Sequence, residues 1–214
     1  MTGTMTPSGR SIAKQAAFAV ATLVVLPQVI TYHLRSAVLG HNRALEGSTQ
    51  LLSLVPGVLG QYLRRAFLGR VLRRCDPSAT IEFGTILSKA EAVIDENVYI
   101  GPRCYLGLVH LERDVLLAGG VHVPSGSRTH GSDDVSAPIR EQAGSLRMVR
   151  IGAGAWIGSG AIVMADVGSA TIVGAGAVVT NTLPARVVAG GVPARVLRSR
   201  EGFMAEPSSV EQVG

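Results

Sequence analysis

Aliphatic residues recur every six positions through two tracts of the chain, and this spacing limits the possible folds more than any other feature. A helix repeats its faces every 3.6 residues and a strand every two, so neither produces this period. A six-residue period predicts a parallel β-helix, in which short strands stack coil upon coil and the aliphatic column fills the axis. The column comprises Ile94, Ile100, Leu106, Leu111, Leu117 and Val123, then Ile151, Ile157, Val163, Val173 and Val179.

A second column supports the same interpretation. Four residues after the aliphatic positions stand mostly small or β-branched side chains: Val98, Cys104, His110, Val115, Val121, Ser127, Ala155, Ala161, Val167 and Ala177. Turn-compatible residues commonly follow the aliphatic position, as at Asp95, Gly101 and Gly158, which suits a chain that bends after each short strand. The 4% aromatic content agrees with an interior filled by small aliphatic groups.

Charge and cysteine usage restrict partners and compartment. The net charge is +5 and nearly all the cations are arginine, concentrated at residues 64–74 and 186–200, which suggests a partner that carries phosphate. Nucleic acid is not expected, because the basic clusters lack interleaved aromatics, zinc-ligand spacing and a helix-turn-helix pattern. Cys75 and Cys104 form no CxxC motif, so both are interpreted as free thiols of a cytoplasmic protein.

The N-terminal third has two apolar stretches. Residues 15–32 carry no charge and would form a helix of about 27 Å, slightly short of a bilayer core of roughly 30 Å. A single membrane span, an interfacial helix and a buried helix therefore all remain open. Residues 51–74 mix leucine with paired arginines, which fits either a helix on a membrane surface or an amphipathic helix packed on the protein. The arginines that follow the first stretch would keep the main domain cytoplasmic.

The motifs "AWIGSGAIV", "VGAGAVVT" and "GGVPARV", within residues 149–200, resemble the hexapeptide-repeat acyltransferases. The resemblance covers about residues 80–200 and is strongest to the galactoside, maltose and xenobiotic O-acetyltransferases and their polysaccharide-modifying relatives. It implies a left-handed parallel β-helix that assembles as a homotrimer, with acetyl-coenzyme A held between subunits and a saccharide as acceptor. The expected architecture is an all-β β-helix with an excursion loop, preceded by N-terminal helices.

Three regions are expected from these observations. Residues 1–75 form a helical segment that contacts a membrane in two of the three alternatives above, residues 76–200 form the β-helix acyltransferase domain, and residues 201–214 form a flexible C-terminal tail. The maltose-type acidic substrate segment has no counterpart in this N-terminus. An acceptor held at the inner face of the cell membrane, such as a lipid-linked or growing polysaccharide, fits the apolar, arginine-rich N-terminus better than a free disaccharide.

The polar stretch "SGSRTHGSDD", residues 125–134, interrupts the six-residue count. In the family that the chain resembles, a loop leaves the prism and carries a catalytic histidine, so the resemblance assigns His130 as general base. An imidazole with a pKa near 6.5 can take a proton from a sugar hydroxyl and pass it to the departing thiolate. Asp133, Asp134 and Glu141 are alternative partners for the second ring nitrogen.

The resemblance also assigns the donor site. Trp156 matches the tryptophan beside the acyl pocket, and Ser159, Ala175 and Thr180 match positions that line the pantetheine groove. Arg195 and Arg198 match cationic residues near the nucleotide phosphates, where a guanidinium can bind phosphate oxygens in a bidentate manner.

Other functions compete with O-acetylation of a saccharide. One is acetylation of an amine on a nucleotide-linked amino sugar, and another is a non-catalytic trimeric β-helix scaffold. A third is a zinc-dependent hydration enzyme of the same fold, in which His110, His122 and His130 would be the zinc ligands. The usual pair of ligands five residues apart is missing from this sequence. No metal is therefore expected, and His110 and His122 are interpreted as structural, with His122 also a possible pocket residue.

Overall fold

The chain begins with three helices and continues as a β-helix. The structure is a computed structural model that describes residues 9–201, with side chains described from residue 15 onward. The helices are α1 (Gly9–Leu39), α2 (His41–Ser53) and α3 (Gly57–Val71). Gly40, with a φ of 81°, separates α1 from α2, and Pro56 precedes the first residue of α3. The predicted tail lies outside the described residues from position 202 onward.

Sixteen short strands form three sheets in the described part of the chain, and every pairing is parallel except the last. Sheet A contains β1 (Arg74–Cys75), β4 (Val93–Ile94), β7 (Val109–Leu111) and β10 (Val149–Ile151). Sheet B contains β2 (Thr80–Ile81), β5 (Tyr99–Ile100), β8 (Leu116–Leu117), β11 (Trp156–Ile157), β13 (Ile172–Val173), β15 (Val187–Gly190) and the antiparallel β16 (Arg195–Ser199). Sheet C contains β3 (Ile86–Leu87), β6 (Tyr105–Leu106), β9 (His122–Val123), β12 (Ile162–Val163) and β14 (Val178–Val179).

The chain visits sheets A, B and C in turn, so each coil adds one layer to a three-sided prism. Bridges from Ile151 to Val167 and on to Leu183 continue sheet A through the last coils. The predicted left-handed parallel β-helix with an excursion loop, preceded by N-terminal helices, is confirmed. Because consecutive layers stack in register, the outer side chains of each sheet form ladders that run along the prism axis.

The predicted aliphatic column fills the axis, since every member from Ile94 to Val179 is at most 1% exposed. The column also extends beyond the predicted range in both directions, through Cys75, Ile81 and Leu87 before it and Leu183 and Ala189 after it. These outer coils keep the six-residue spacing among themselves, but a seven-residue step from Leu87 to Ile94 and a four-residue step from Val179 to Leu183 separate them from the predicted column.

The predicted second column points inward except at two positions, and its member Val167 pairs with Ile151 and Leu183 and so belongs to the aliphatic column. His110 is not inward as its spacing implied, because the five-residue step before Leu111 places Val109 in the interior and turns His110 outward. Ser127 is also not inward. It lies exposed in the excursion loop, where the chain has already left the coil.

The three helices form a layer over the first coils, here called the helical layer. Phe67 and Leu68 of α3 are buried, and α3 packs against β1 and β2 at the start of the prism. The Thr49 hydroxyl of α2 lies 3.0 Å from the Leu87 carbonyl oxygen, and the Tyr105 hydroxyl donates a 2.8 Å hydrogen bond to Glu46. Residues 51–74 therefore comprise the end of α2, a corner, α3 and the start of β1, and the buried side of α3 packs on the protein; contact of the exposed side with a membrane stays a prediction.

Arg64 joins the helical layer to the prism from the inside. Its side chain is 2% exposed and donates hydrogen bonds to the carbonyl oxygens of Ile81 at 2.9 Å, Val55 at 2.8 Å and Leu52 at 3.1 Å. Two of these carbonyls belong to the C-terminal end of α2 and the corner that follows it, where backbone oxygens lack helical donors. Burial lowers the pKa of this guanidinium, with Glu82 opposing the shift.

Candidate active site

The excursion loop, residues 124–148, leaves the prism after β9 and returns at β10. Its two limbs run side by side, since Ser145 donates its backbone N–H to the Arg128 carbonyl and Arg147 donates to the Ser125 carbonyl, both at 2.8 Å. A short 3₁₀ helix, Ile139–Glu141, forms the far end. The excursion is thus a paired ribbon that projects from the corner between sheets C and A.

An ion pair anchors the returning limb. The Arg147 guanidinium contacts both carboxylate oxygens of Asp166, at 3.0 and 3.2 Å, and the same carboxylate accepts a 2.8 Å hydrogen bond from the Arg150 backbone. Asp166 belongs to the shortened stretch "MADVGSATI" that broke the six-residue period. This pair was not predicted from the sequence, because Asp166 lies nineteen positions from Arg147 in a different coil.

His130 lies on the outgoing limb and is exposed. Gly144 faces it from the returning limb, where a Cβ atom would overlap the Thr129 carbonyl and lie 2.7 Å from the His130 nitrogen. The close approach of the two limbs therefore requires glycine at position 144. Within residues 9–201 the His130 imidazole makes no hydrogen bond, and the residue is exposed to solvent.

The three candidate orienting carboxylates occupy different environments. Asp134 accepts hydrogen bonds from the Ser136 backbone at 2.8 Å and the Ser136 hydroxyl at 2.6 Å, which together lower the pKa of its carboxyl. Glu141 lies 3.5 Å from Arg140, and Asp133 is exposed. Asp134 thus stabilises the local turn, while the described structure brings none of the three against His130.

A strip of small residues follows the corner between sheets B and C. The turns Gly158–Gly160 and Gly174–Gly176 stack directly, since the Gly176 backbone donates to the Ser159 carbonyl at 2.8 Å. Gly158, the first glycine of the Gly158–Gly160 turn, leaves no space for a side chain, because a Cβ there would lie 2.5 Å from the Ala175 nitrogen. The last glycine of each turn is in the left-handed region, with φ of 68° and 67°. Ser159 and Ala175, both predicted donor-site residues, are exposed on this strip.

The other predicted donor-site residues lie beside this strip or across sheet C from it. Trp156 is 49% exposed on the outer face of sheet B, between Leu116 and Ile172. The same ladder continues through Val188 to Arg198, about 14 Å from Trp156 at the usual strand spacing. Arg195 is exposed at the other end of β16, and Thr180 is exposed at the C/A corner that also bears the excursion loop.

One chain therefore presents two separate groups of predicted residues. Ser159, Ala175 and Trp156 lie at or beside the B/C corner, whereas His130 and Thr180 lie at the C/A corner. Sheet C separates the two corners, so no single cleft in the described chain contains both groups.

His110 and His122 face other surfaces. His110 Nε2 lies 2.9 Å from Asp95, which also pairs with Arg74 at 3.2 Å, beside a cleft of about 510 Å³ on sheet A. His122 stacks on Tyr105 on sheet C, with ring centroids 5.9 Å apart. Among the described residues, no group of three or more His, Cys, Asp or Glu side chains is placed to hold a metal ion.

No protein-family profile and no characterised protein matches this chain by sequence. Solved structures do match its fold. A maltose O-acetyltransferase from Clostridium difficile 630 superposes with a TM-score of 0.64 at 21% identity, covering 75% of this chain and 85% of its own. A serine mutant of AntD, an N-acyltransferase from Bacillus cereus, in complex with dTDP-4-amino-4,6-dideoxyglucose and coenzyme A, superposes with a TM-score of 0.50 at 19% identity, covering 57% and 70%. The chain thus shares its fold with an O-acetyltransferase and an N-acyltransferase.

Proposed function

We propose that this protein is an acetyl-coenzyme A-dependent O-acetyltransferase that modifies a saccharide. The observation that carries the proposal is the paired excursion loop, which holds an exposed His130, without a hydrogen-bond partner among the described residues, away from the apolar core of the β-helix. A fold shared with acyltransferases supports the same reaction class, although fold alone does not assign chemistry.

The small-residue strip is suited to the donor. Its exposed backbone and short side chains, at Ser159 and Ala175, leave a shallow track along which a slender pantetheine arm can lie. Trp156 would contact the acyl end from sheet B, and Thr180 would line the track from the C/A corner of a second chain. Arg195 and Arg198 would bind the nucleotide phosphates from β16, as guanidinium groups commonly do. The AntD complex contains coenzyme A, which supports the same kind of donor here.

The separation of the two corners supports assembly as a homotrimer. The His130 corner of one chain can complete a site only if it approaches the B/C corner of another. The outer ladder of sheet B gives such a contact an apolar surface, because Tyr99, Leu116 and Trp156 are 38–49% exposed and stacked in register.

In the proposed mechanism His130 acts as general base. Its free ring nitrogen takes the proton of an acceptor hydroxyl while that oxygen attacks the acetyl carbonyl; the C–S bond then breaks, and the imidazolium returns the proton to the leaving thiolate. Asp133 or Glu141 would orient the ring once donor and acceptor are bound, while Asp134 maintains the loop turn. Transfer is direct in this mechanism, and neither cysteine serves as a nucleophile, because burial raises the pKa of Cys75 to about 12 and of Cys104 to about 11.

The acceptor belongs, in this proposal, to surface-polysaccharide assembly at the inner face of the cell membrane. The outward apolar side chains of the helical layer support this location. The amino-sugar nucleotide in the AntD complex favours a second candidate, N-acetylation of a nucleotide-linked amino sugar. A non-catalytic scaffold is the third and predicts no donor binding.

A thiol-release assay with acetyl-coenzyme A tests the proposal, using cell-envelope saccharides and nucleotide-linked amino sugars as separate acceptor panels. Release with the saccharides is expected, and His130→Ala should reduce it about 10²–10⁴-fold while leaving donor binding intact. Arg195→Ala should instead weaken donor binding. Ser132→Ala, two residues away on the same exposed limb, serves as the matched control.

Three results would contradict the proposal. Release that survives His130→Ala would move the base elsewhere, and acceptance of amino sugars alone would favour the N-acetyltransferase. Absence of donor binding would favour the scaffold.

A further inference from the structure

The outward face of α1 is apolar from Val20 to Val38, with Thr31 as its one exposed polar residue among those described. Seven large side chains, each 40–82% exposed, lie on this face: Val20, Leu23, Val24, Leu26, Ile30, Leu34 and Val38. The buried residues Ala21, Val25, Tyr32 and Ser36 lie on the opposite side of the helix at 100° per residue. An ordinary surface helix shows polar residues to water, so α1 lacks the outer face of a solvent-exposed helix.

No charged side chain interrupts this face. Residues 15–34 contain no Asp, Glu, Lys or Arg, and Arg35 turns inward to donate a 2.7 Å hydrogen bond to the Ser48 hydroxyl. Helix α1 is also long and apolar enough to cross a bilayer, as judged by length and composition over Gln15–Leu39. The composition is thus compatible with a lipid environment.

The apolar face continues onto α3. Leu59, which is 65% exposed, lines an apolar groove of about 260 Å³ together with Val20 and Val24 of α1. Val58 beside it is 64% exposed, and Leu54, in the corner before α3, is 69% exposed. The patch therefore belongs to the helical layer as a whole and not to one helix.

Charge is distributed unevenly between the two parts of the chain. Residues 1–75 contain nine Arg and Lys against one carboxylate, Glu46, whereas residues 76–214 contain eleven against fourteen. Glu46 accepts the Tyr105 hydrogen bond toward the prism, while Arg43 and Arg70 are exposed on the helices. An apolar face on a strongly cationic layer is complementary to an anionic bilayer, which has an apolar interior beneath negatively charged headgroups.

Contacts along α1 decide how such a helix meets a bilayer. The Tyr32 ring packs edge-on against Phe67 with centroids 6.0 Å apart, and its hydroxyl lies 3.3 Å from His41. With Ala21 and Val25 buried further along, α1 is held over most of its length against α2 and α3. Crossing the membrane would separate α1 from these partners, whereas lying in the interface keeps them.

We propose that the helical layer binds the surface of an anionic bilayer, with α1 lying in the plane of the interface and its outward face at the acyl boundary. Leu23, Ile30 and Leu34 are inserted, and the exposed cations Arg43 and Arg70 contact anionic headgroups. The inference deepens the membrane location proposed above, but it concerns binding alone and needs neither donor nor acceptor.

The test is flotation of the full-length protein with vesicles of phosphatidylcholine alone or of phosphatidylcholine mixed with phosphatidylglycerol. Binding is expected with the anionic vesicles and should weaken as salt increases. Ile30→Asp and Leu34→Asp should each lower the partition coefficient at least about tenfold, because each replaces an aliphatic side chain that would be inserted in the bilayer. Val135→Asp, at a fully exposed position of the excursion loop, should leave it unchanged. Thermal melting of each variant shows that the fold persists.

Depth measurements distinguish an in-plane helix from a span. Tryptophan replaces Leu23, Ile30 or Val38 in turn, in a Trp156→Phe background, and brominated lipids quench its fluorescence. The three sites lie about 10–12 Å apart along the helix, so equal shallow depths are expected for α1 in the interface. A deep Ile30 reporter between two shallow ones would indicate a span and overturn the proposal.

Two further results would also overturn the proposal. Equal, salt-independent binding to neutral vesicles would overturn the anionic surface. Failure to bind any vesicle, with self-association abolished by Ile30→Asp, would identify a second copy of the chain as the occupant. None of these results depends on acetyl transfer, so they leave the proposed enzyme function to its own assay.

Discussion

The prism and the helical layer use aliphatic side chains in opposite ways. In the prism the second residue of nearly every strand points inward and is almost fully buried, while its neighbour points outward. In α1 large aliphatic groups point outward, and a cation, Arg64, occupies the interior of the layer beneath. Hydrophobicity therefore specifies the prism by itself, whereas no described residue covers the outward apolar face of the helical layer, which we propose contacts a bilayer.

Adjacent leucines in β8 provide the largest expected effect on this comparison. Leu117→Ala should lower the free energy of unfolding by about 4 kcal/mol, because Leu117 is fully buried between packed layers that cannot collapse. Leu116→Ala, on the outer face and 41% exposed, is the matched control and should cost about 1 kcal/mol or less. Urea denaturation of both variants measures the difference. Equal losses of unfolding free energy in the two variants would show that the outer face of sheet B is as buried as its inner face.

Arg64→Met tests whether the buried arginine stabilises the helical layer. Loss of the guanidinium leaves the carbonyls of Leu52, Val55 and Ile81 without their donor, which should cost about 3 kcal/mol. Arg70→Met, on the exposed side of α3, should change stability by less than about 0.5 kcal/mol. A stable Arg64→Met variant would mean that helix packing alone holds the layer on the prism.

The two thiols report how tightly the interior is closed. Burial raises the pKa of Cys75 to about 12 and of Cys104 to about 11, above the ordinary value of 9.0. Folding stability should therefore be constant below about pH 9 and fall above it, as the unfolded thiols ionise while the folded ones remain protonated. At pH 10 the loss should be about 1.4 kcal/mol for each thiol.

Denaturation at increasing pH measures this loss, with the Cys75→Ala/Cys104→Ala variant as control. Rapid reaction of either thiol with an aromatic disulfide at neutral pH would show that the interior opens.

Arg147→Gln should have a small effect on stability, about 0.5 kcal/mol, because its ion pair with Asp166 is largely exposed. The excursion loop should nevertheless lose its alignment, so transferase activity should fall several-fold. Arg140→Gln, at the far end of the same loop, provides the comparison. A loss confined to stability would place Arg147 outside the function of the loop.

Leu23→Gln should produce the smallest change in the free energy of unfolding in solution, within about 0.5 kcal/mol, because the side chain is 66% exposed. The same substitution should lower vesicle binding. Thermal melting with and without anionic vesicles measures both. A large destabilisation without vesicles would show that α1 packs its outward face within the protein.

Much of the fold could be predicted because the period is local. The columns from Ile94 to Val179 follow directly from six-residue spacing, and "SGSRTHGSDD" marked the excursion correctly. The two errors, at His110 and Ser127, came from carrying the count through irregular steps. The outermost coils were missed because irregular steps join them to the column, seven residues from Leu87 to Ile94 and four from Val179 to Leu183.

The site was less predictable, because its residues lie far apart in sequence and on different corners. Spacing suggested small residues near Ser159 and Ala175, but only the stacked turns show that they form one strip. Likewise, nothing near Arg147 in the sequence points to Asp166, nineteen positions away.

The sequence by itself determined the repeating unit, since each coil buries its aliphatic residue against the next identical layer and local spacing suffices for that packing. It also determined the interruption that carries His130. Only the tertiary structure decided that the leucine- and arginine-rich stretch covers the start of the prism with Arg64 inside. The reason is that a helix can bury a given face against protein or lipid, and only its actual neighbours settle which. The same neighbours left the other face of α1 uncovered.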